Sequence, residues 1–168
     1  MADTVKTTKV MRYMLQEYYG VPGSNGDVTY HYMNKGFTQL NEDGNAQTES
    51  EAYIGDKNAT PSITGYENSW AFEAQYIHGD PVCEDIRDIG LMQKTGAEAE
   101  RVMVSIDLMQ PGGTDGTFKA RKFNIAVETS PPQGEPRAVT TMSGTIHQLG
   151  NMETGTFNPE TKTFTPDA

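Results

Sequence analysis

A single cysteine, Cys83, among 168 residues excludes an intramolecular disulfide and any cysteine-rich zinc site. Histidine is nearly as scarce. His31, His78 and His147 lie far apart, with neither the H-x-x-x-H nor the H-x-H spacing of a metal centre. No run approaches the ~18 consecutive apolar residues of a membrane-spanning helix, and Met1–Gln16 has no secretory apolar core. The expectation is a protein made in the cytoplasm, without a membrane partner. Hydrophobic residues reach only 35% and mean hydropathy is −0.62, whereas Gly 17 and Pro 9 are plentiful. That balance favours strands and turns with long polar loops over a helical bundle.

Basic charge is also short. Thirteen Lys and Arg stand against 23 Asp and Glu, a net −10. Residues 41–73 hold seven acids against Lys57, and residues 74–100 hold six against Arg87 and Lys94, so the acid sits in the middle of the chain. Such a chain is a poor candidate to grip nucleic acid, whose binding draws on phosphate neutralisation by Lys and Arg. Ordinary solubility charge would account for the same acidity.

The sequence offers no recognisable catalytic constellation. No histidine belongs to a nucleophile–base signature. Cys83 falls in the first turn of an expected helix, where the dipole would lower its pKa, but Val82 beside it and Glu84 and Asp85 after it argue for a buried structural thiol. Asn41–Asn45 (NEDGN) lacks the spacing and the final Glu of a calcium loop. Gly112–Gly116 lacks the Gly-Lys-Ser/Thr ending of a phosphate loop. Glu67 and Glu73, six residues apart on an extended strand, lie ~20 Å apart, too far for a glycosidase pair. The residues point to no enzyme and require no cofactor or metal.

Periodicity supplies the positive signal. Tyr66, Trp70, Phe72, Ala74 and Tyr76 alternate with Glu67, Ser69, Ala71, Glu73 and Gln75, the period-2 pattern of a half-buried strand over Ser62–His78. Seventeen residues is long for one strand, so a bulge or a projection beyond the domain is expected. Asp80-Pro81 opens the one convincing helix, Asp80–Lys94, with Asp80 as N-cap and Pro81 at the first helical position. Its Val82, Ile86 and Ile89 side is expected to pack on the aromatic face near Trp70 and Phe72. Further strands are expected over Val10–Leu15, Val28–Leu40 (bent near Gly36), Thr48–Ile54, Arg101–Met109, Thr117–Thr129 and Ala138–Gln148. Tyr18–Asp27 reads as a loop, and Gly155–Pro166 as a closing hairpin with Phe157 opposite Phe164.

These residues carry a resemblance. Ser62–Val82 (SITGYENSWAFEAQYIHGDPV) resembles the central strand and following helix of major tail tube proteins from long-tailed bacteriophages and prophages. Gly55–Thr60 (GDKNAT) is similar to the loop preceding that strand. Phe118–Glu128 (F-x-x-x-x-F-x-I-A-V-E) and Ser143–His147 (SGTIH) extend the likeness, which spans roughly residues 28–165. The resemblance implies a mainly β fold: an antiparallel, barrel-like β-sandwich with one flanking α-helix and long loops, here one domain over 1–168 with a loose N-terminal arm (about 1–9).

The resemblance further implies a structural virion protein, made in the host bacterial cytoplasm. It would assemble into hexameric rings stacked as a tail tube, with a tape-measure protein and a tail terminator as partners. DNA would pass down the bore without specific binding. On that footing Glu67, Glu73, Asp107 and Glu128 are candidates to line the bore. Lys119, Arg121 and Lys122 are expected outside it, pairing with acids of neighbouring chains. The extended stretch 41–61, with Glu42, Asp43, Glu49, Glu51 and Asp56, is the candidate contact with another subunit. The alternative is a non-catalytic β-sandwich binding module for carbohydrate or protein, built on Trp70 and the Tyr30/Tyr32 pair.

Overall fold

The computed structural model describes residues 7–168, so the N-terminal arm expected over residues 1–9 falls largely outside it. Among the described residues the chain forms ten strands and one α-helix. In chain order these are β1 (Leu15–Pro22), β2 (Val28–Tyr32), β3 (Phe37–Asp43), β4 (Ala46–Glu51), β5 (Thr60–Tyr66), β6 (Ser69–Gln75), α1 (Pro81–Leu91), β7 (Glu100–Pro111), β8 (Phe118–Thr129), β9 (Thr141–Asn158) and β10 (Thr163–Pro166). The pairings β1–β2, β1–β7, β3–β6, β4–β5, β6–β9 and β9–β10 are all antiparallel. The fold is mainly β with one helix, as expected. The chain gathers into two compact units, and β7, β8 and β9 give residues to each.

The first unit comprises the residues up to Met33, Val102–Phe123 and Met152–Ala168. Its strands run in the order β2-β1-β7-β8, with β10 paired to β9. Four successive residues of β1, Glu17 to Gly20, are buried, so both faces of this strand are covered. Tyr18 packs with Val104, Ile106, Ala120 and Phe157. Its ring stacks on Tyr32 at 5.3 Å and meets Phe157 at 4.7 Å, while Tyr30 meets Phe157 edge-on at 5.7 Å. Each such ring, fully buried, contributes on the order of 2 kcal/mol. Burial raises the phenol pKa of Tyr18, Tyr30 and Tyr32 above the ordinary value. Phe157 pairs with Phe164 across the β9–β10 hairpin, as expected.

Two sequence expectations fail in this unit. Val10–Leu15 is not a strand: Arg12–Met14 is a single 3-10 turn, and the strand begins at Leu15. Tyr18–Asp27 is not all loop, since Tyr18 to Pro22 are strand. Only the tip turns, with Gly23 N–H on the Asp27 carbonyl at 2.6 Å and Gly26 at φ +83°. The density of glycine and proline there masked a strand that tertiary packing enforces.

The second unit comprises Asn34–Arg101 and Asn124–Asn151. Its strands run in the order β8-β9-β6-β3. Trp70, Phe72 and Ala74 of β6 pair with Ile146, Gly144 and Met142 of β9 and are buried with Ile146 and Met142. On α1, Val82, Cys83, Ile86 and Ile89 are likewise buried. Asp80 caps the helix, its carboxylate accepting from the Val82 and Cys83 N–H groups at 3.1 and 3.0 Å. A Cβ on Gly90 would stand 3.0 Å from the Ser130 carbonyl, so the missing side chain lets α1 close on the end of β8. The Cys83 sulfur lies 3.9 Å from the Lys35 and Gln75 carbonyls, which seats the first turn beside β6.

The strand expected over Val28–Leu40 is two strands, β2 and β3, parted by a turn where Gly36 takes φ +81°. The strand expected over Ser62–His78 is also two. It breaks at Glu67-Asn68, and only β6 joins the larger sheet; β5 pairs solely with β4. Opposite the break lie Gly44-Asn45, whose carbonyls accept from Glu67 N–H at 3.2 and 3.4 Å. The stretch expected as an extended loop over 41–61 thus carries the end of β3, all of β4, a loop, and the start of β5.

Candidate assembly surfaces

Among the described residues no group of three or more His, Cys, Asp or Glu is arranged to hold a metal. Burial pushes the Cys83 thiol up to about 11, against only a backbone hydrogen bond at Ile77 that favours the thiolate. His78 pairs with Glu84 at 2.7 Å and His147 with Glu128 at 2.9 Å. Glu84 also accepts from the Gly79 N–H at 3.0 Å and the Tyr76 hydroxyl at 2.9 Å, which hold its carboxyl below the usual range. The Tyr76 hydroxyl lies 3.3 Å from His78 Nδ1 but donates to Glu84, and all three groups are on the surface around the α1 N-terminus.

The first surface is the outward face of the second unit. Registered neighbours across β3, β6 and β9 are Asp43/Ser69/His147, Asn41/Ala71/Thr145 and Gln39/Glu73/Ser143. Small hydroxyl and amide side chains fill it, and Asp43 and Glu73 supply its charge without any Lys or Arg in these rows. Glu128 of β8 joins the face through His147. Glu73 and Glu128 are thus brought onto one face, both exposed. Glu67 stands apart in the β5–β6 link, beside a polar cleft also lined by Asn45, Tyr66, Asn68 and Gln148. That cleft is bonded to itself: Asn45 Nδ2 reaches the Glu67 carbonyl at 3.3 Å and Gln148 Nε2 the Gly150 carbonyl at 2.8 Å. Asp107 belongs to the first unit, where its carboxylate accepts from the Met109 N–H at 2.8 Å.

The second surface is the β4–β5 hairpin, in which every residue but Gly65 is exposed. Paired residues share a face. Ala46/Tyr66, Thr48/Ile63 and Ser50/Pro61 make one uncharged side, and Gln47/Gly65, Glu49/Ser62 and Glu51/Thr60 make an acidic one. The six residues of β4 run ~20 Å at strand rise. A ribbon of two strands with neither face covered is marginal in water. At the tip, Asp56 accepts from the Tyr53 N–H at 3.1 Å and donates its own N–H to the Tyr53 carbonyl at 2.9 Å, while the Tyr53 hydroxyl bonds Glu51 at 2.9 Å. Glu42 sits on β3, where Asn68 Nδ2 reaches it at 3.5 Å. Sequence reasoning found these acids but missed the apolar residues beside them, Tyr53, Ile54, Ile63 and Tyr66, all exposed.

The third surface is a cavity of about 680 Å³ in the first unit, lined by Leu15, Ile106 and Ala120 and by Lys119, Arg121 and Asp107. Lys122 does not join it. Its ammonium pairs with Glu153 of the same chain at 3.2 Å and lies over the Phe164 ring, so within one chain it already meets an acid. Nothing in the strand pattern announced the cavity, which depends on where separate segments converge.

No protein-family model and no curated protein sequence matches the chain. Three solved tail structures are similar to it. The SPP1 tail tube, solved by solid-state NMR and cryo-EM, aligns over 87% of this chain and 78% of its own at 8% identity, with a TM-score of 0.61. The tail of an empty GTA particle with C6 symmetry aligns over 86% and 97% at 11% identity, TM-score 0.57. The six-fold symmetrised baseplate of the anti-feeding prophage (AFP) aligns over 89% and 97% at 7% identity, TM-score 0.52. What they share with this chain is the fold.

Proposed function

We propose that this chain is a structural virion protein whose copies close into hexameric rings and stack as the tail tube through which DNA leaves the particle. The observation that carries this reading is the fold itself, shared with three tail assemblies over 86–89% of the chain, two of them described with six-fold symmetry. The chain's own surfaces support it. Among the described residues β2 and β3 stand at the two ends of the strand order, and soluble proteins ordinarily hide such end strands from other chains. The hairpin has no cover of its own. Ring closure and stacking would use both.

In this reading the chain is not an enzyme. A tape-measure protein would fill the bore before DNA, and a tail terminator would end the stack. The outward face with Glu73 and Glu128 is the first choice for the bore wall, with Glu67 and Asp107 as further candidates. A wall of carboxylates and small hydroxyls offers phosphates no cation to hold them. A ligand platform built on Trp70 is disfavoured, because that ring is fully buried, and Tyr30 and Tyr32 pack into the first unit's core. Electron microscopy of the purified chain across a concentration series tests the proposal. Rings or tubes are expected at high concentration; dispersed monomers throughout would overturn it.

A further inference from the structure

Asn25 is the one asparagine of nine that a glycine follows. An asparagine can close a five-membered imide when the nitrogen of the next residue attacks its side-chain carbonyl carbon. Glycine, without a Cβ to screen that nitrogen and with the widest backbone freedom, is the neighbour that hinders the attack least. The other eight asparagines are followed by Lys, Glu, Ala, Ser, Ile, Met or Pro. Asp43-Gly44 and Asp115-Gly116 share the glycine but offer carboxylates, which resist attack by an amide nitrogen.

The fold leaves this step open. Asn25 lies in the turn between β1 and β2, where Gly23 to Val28 are all exposed. Among the described residues nothing bonds its side-chain amide. Other asparagines are engaged: Asn34 Oδ1 accepts from the Lys35 N–H at 2.7 Å, Asn45 Nδ2 reaches the Glu67 carbonyl at 3.3 Å, and Asn158 Oδ1 accepts from the Glu160 and Thr161 N–H groups at 2.9 and 3.1 Å. The attacking nitrogen belongs to Gly26. Its N–H donates to the Gly23 carbonyl at 3.2 Å, a bond in an exposed turn, where local opening costs least. A Cβ on Gly26 would have no atom within 4 Å, so no neighbour crowds the turn as it rearranges. On either side the strands stay registered, Val21 with Thr29 and Pro22 with Val28, which confines the change to the tip.

We propose that Asn25 is a modification site at which the native chain deamidates itself. The Gly26 nitrogen bonds to the Asn25 side-chain carbon, the bond from that carbon to the amide nitrogen breaks, and ammonia leaves with the Gly26 proton. Water then opens the cyclic imide at either carbonyl, giving aspartate or isoaspartate, with no change of oxidation state. Each product sets a carboxylate two residues from Asp27 and takes the first unit from −1 to −2. Isoaspartate also routes the backbone through the side chain of residue 25, which lengthens the turn by one atom. The inference stands apart from the tube reading, since it needs only a single folded chain.

The test incubates the full-length chain and Asn25→Gln in warm, mildly alkaline buffer, with a second sample of each in denaturant. Anion exchange reads the added charge, peptide mass mapping places it, and methyl transfer by an isoaspartyl methyltransferase counts the isoaspartate. The native parent should gain one acidic species mapped to residue 25, at least tenfold faster than at any other asparagine, with isoaspartate the major product. Its rate should stand within about tenfold of the rate in denaturant, because the turn opens locally. Asn25→Gln, whose side chain would have to close a larger ring, should melt like the parent and gain no charge at residue 25 over the same time. Conversion that begins at another asparagine overturns the proposal. So does conversion at residue 25 in denaturant alone, which would mean that the folded turn withholds the Gly26 nitrogen.

Discussion

Arg101→Met strips one side from the best-formed ion pair in the second unit. Arg101 Nε and Nη2 meet the two Asp85 carboxylate oxygens at 2.8 and 3.0 Å, a bidentate fork. Its Nη1 also donates to the Glu98 and Glu100 carbonyls at 2.9 and 2.7 Å. The two side chains are only 8% and 13% exposed, so water cannot readily replace the lost guanidinium. Methionine keeps the length and apolar stem but leaves Asp85 charged and nearly buried on α1. Breaking a buried pair in this way typically costs about 3–5 kcal/mol. The remaining exposure of Asp85 argues for the lower end, about 3 kcal/mol. For a chain of this size that is a fall in Tm of roughly 6–12 °C. Urea unfolding followed by the single Trp70, buried in the same unit, reads the loss directly. Adding Asp85→Asn to Arg101→Met removes the stranded charge and should recover about 1 kcal/mol or more. A loss below about 1 kcal/mol for Arg101→Met, the worth of an exposed pair, would refute the reasoning. So would a double variant no more stable than the single one.

Cys83 should resist a thiol reagent such as DTNB at pH 8 while the chain is native and react fully in denaturant; rapid native labelling would contradict its burial. Its pKa is higher folded, about 11, than unfolded, about 8.5. Its contribution is therefore complete below about pH 8.5 and declines as pH rises toward 11, where the unfolded chain releases the proton first. Cys83→Ala should flatten part of that alkaline decline, and an unchanged pH profile would remove Cys83 as its source. Glu73→Lys with Glu128→Lys turns two carboxylates of the candidate bore wall into cations. Tubes of this variant should retain duplex DNA at low salt and release it steeply as salt rises, whereas parent tubes should not retain it. Equal retention by both would show that this face is not the wall.

The legible parts of the fold were those whose local and tertiary signals agree. α1 begins where Asp80-Pro81 says it should, because capping is a contact between neighbours in sequence. The Phe157–Phe164 hairpin was legible for the same reason. The breaks were harder. Tyr66 and Trp70 keep the same phase across the polar run Glu67-Asn68-Ser69, yet β5 and β6 enter different sheets there, since period 2 reports a face and not a partner. β1 was hidden because a strand buried on both faces does not alternate, and Gly20 and Pro22 with the glycines that follow suggest a turn. The acids of the candidate bore wall and hairpin were visible as charge. Which of them share a face depended on register: Glu73 with Glu128 across β9, Glu49 with Glu51 on one side of β4. Cavities were beyond reach, since Leu15, Ile106 and Ala120 meet only through β1, β7 and β8.

The division of charge bears on the kind of assembly this chain can form. Nearly all of the net −10 falls in the second unit, at −9, leaving −1 for the first. A two-fold contact made through the second unit would set the same acidic surface against itself, and opposed like charges are costly and suppress wrong partners. A head-to-tail contact, second unit on first, sets −9 against −1 and so meets far less of that repulsion. Heterologous contacts of that kind do not end in dimers: they close into rings where the rotation permits and otherwise run on as filaments. A tube of stacked rings uses both outcomes. On the tube reading proposed above, the segregation of acid into residues 41–100, first seen as a composition bias, would favour copies that add in one direction.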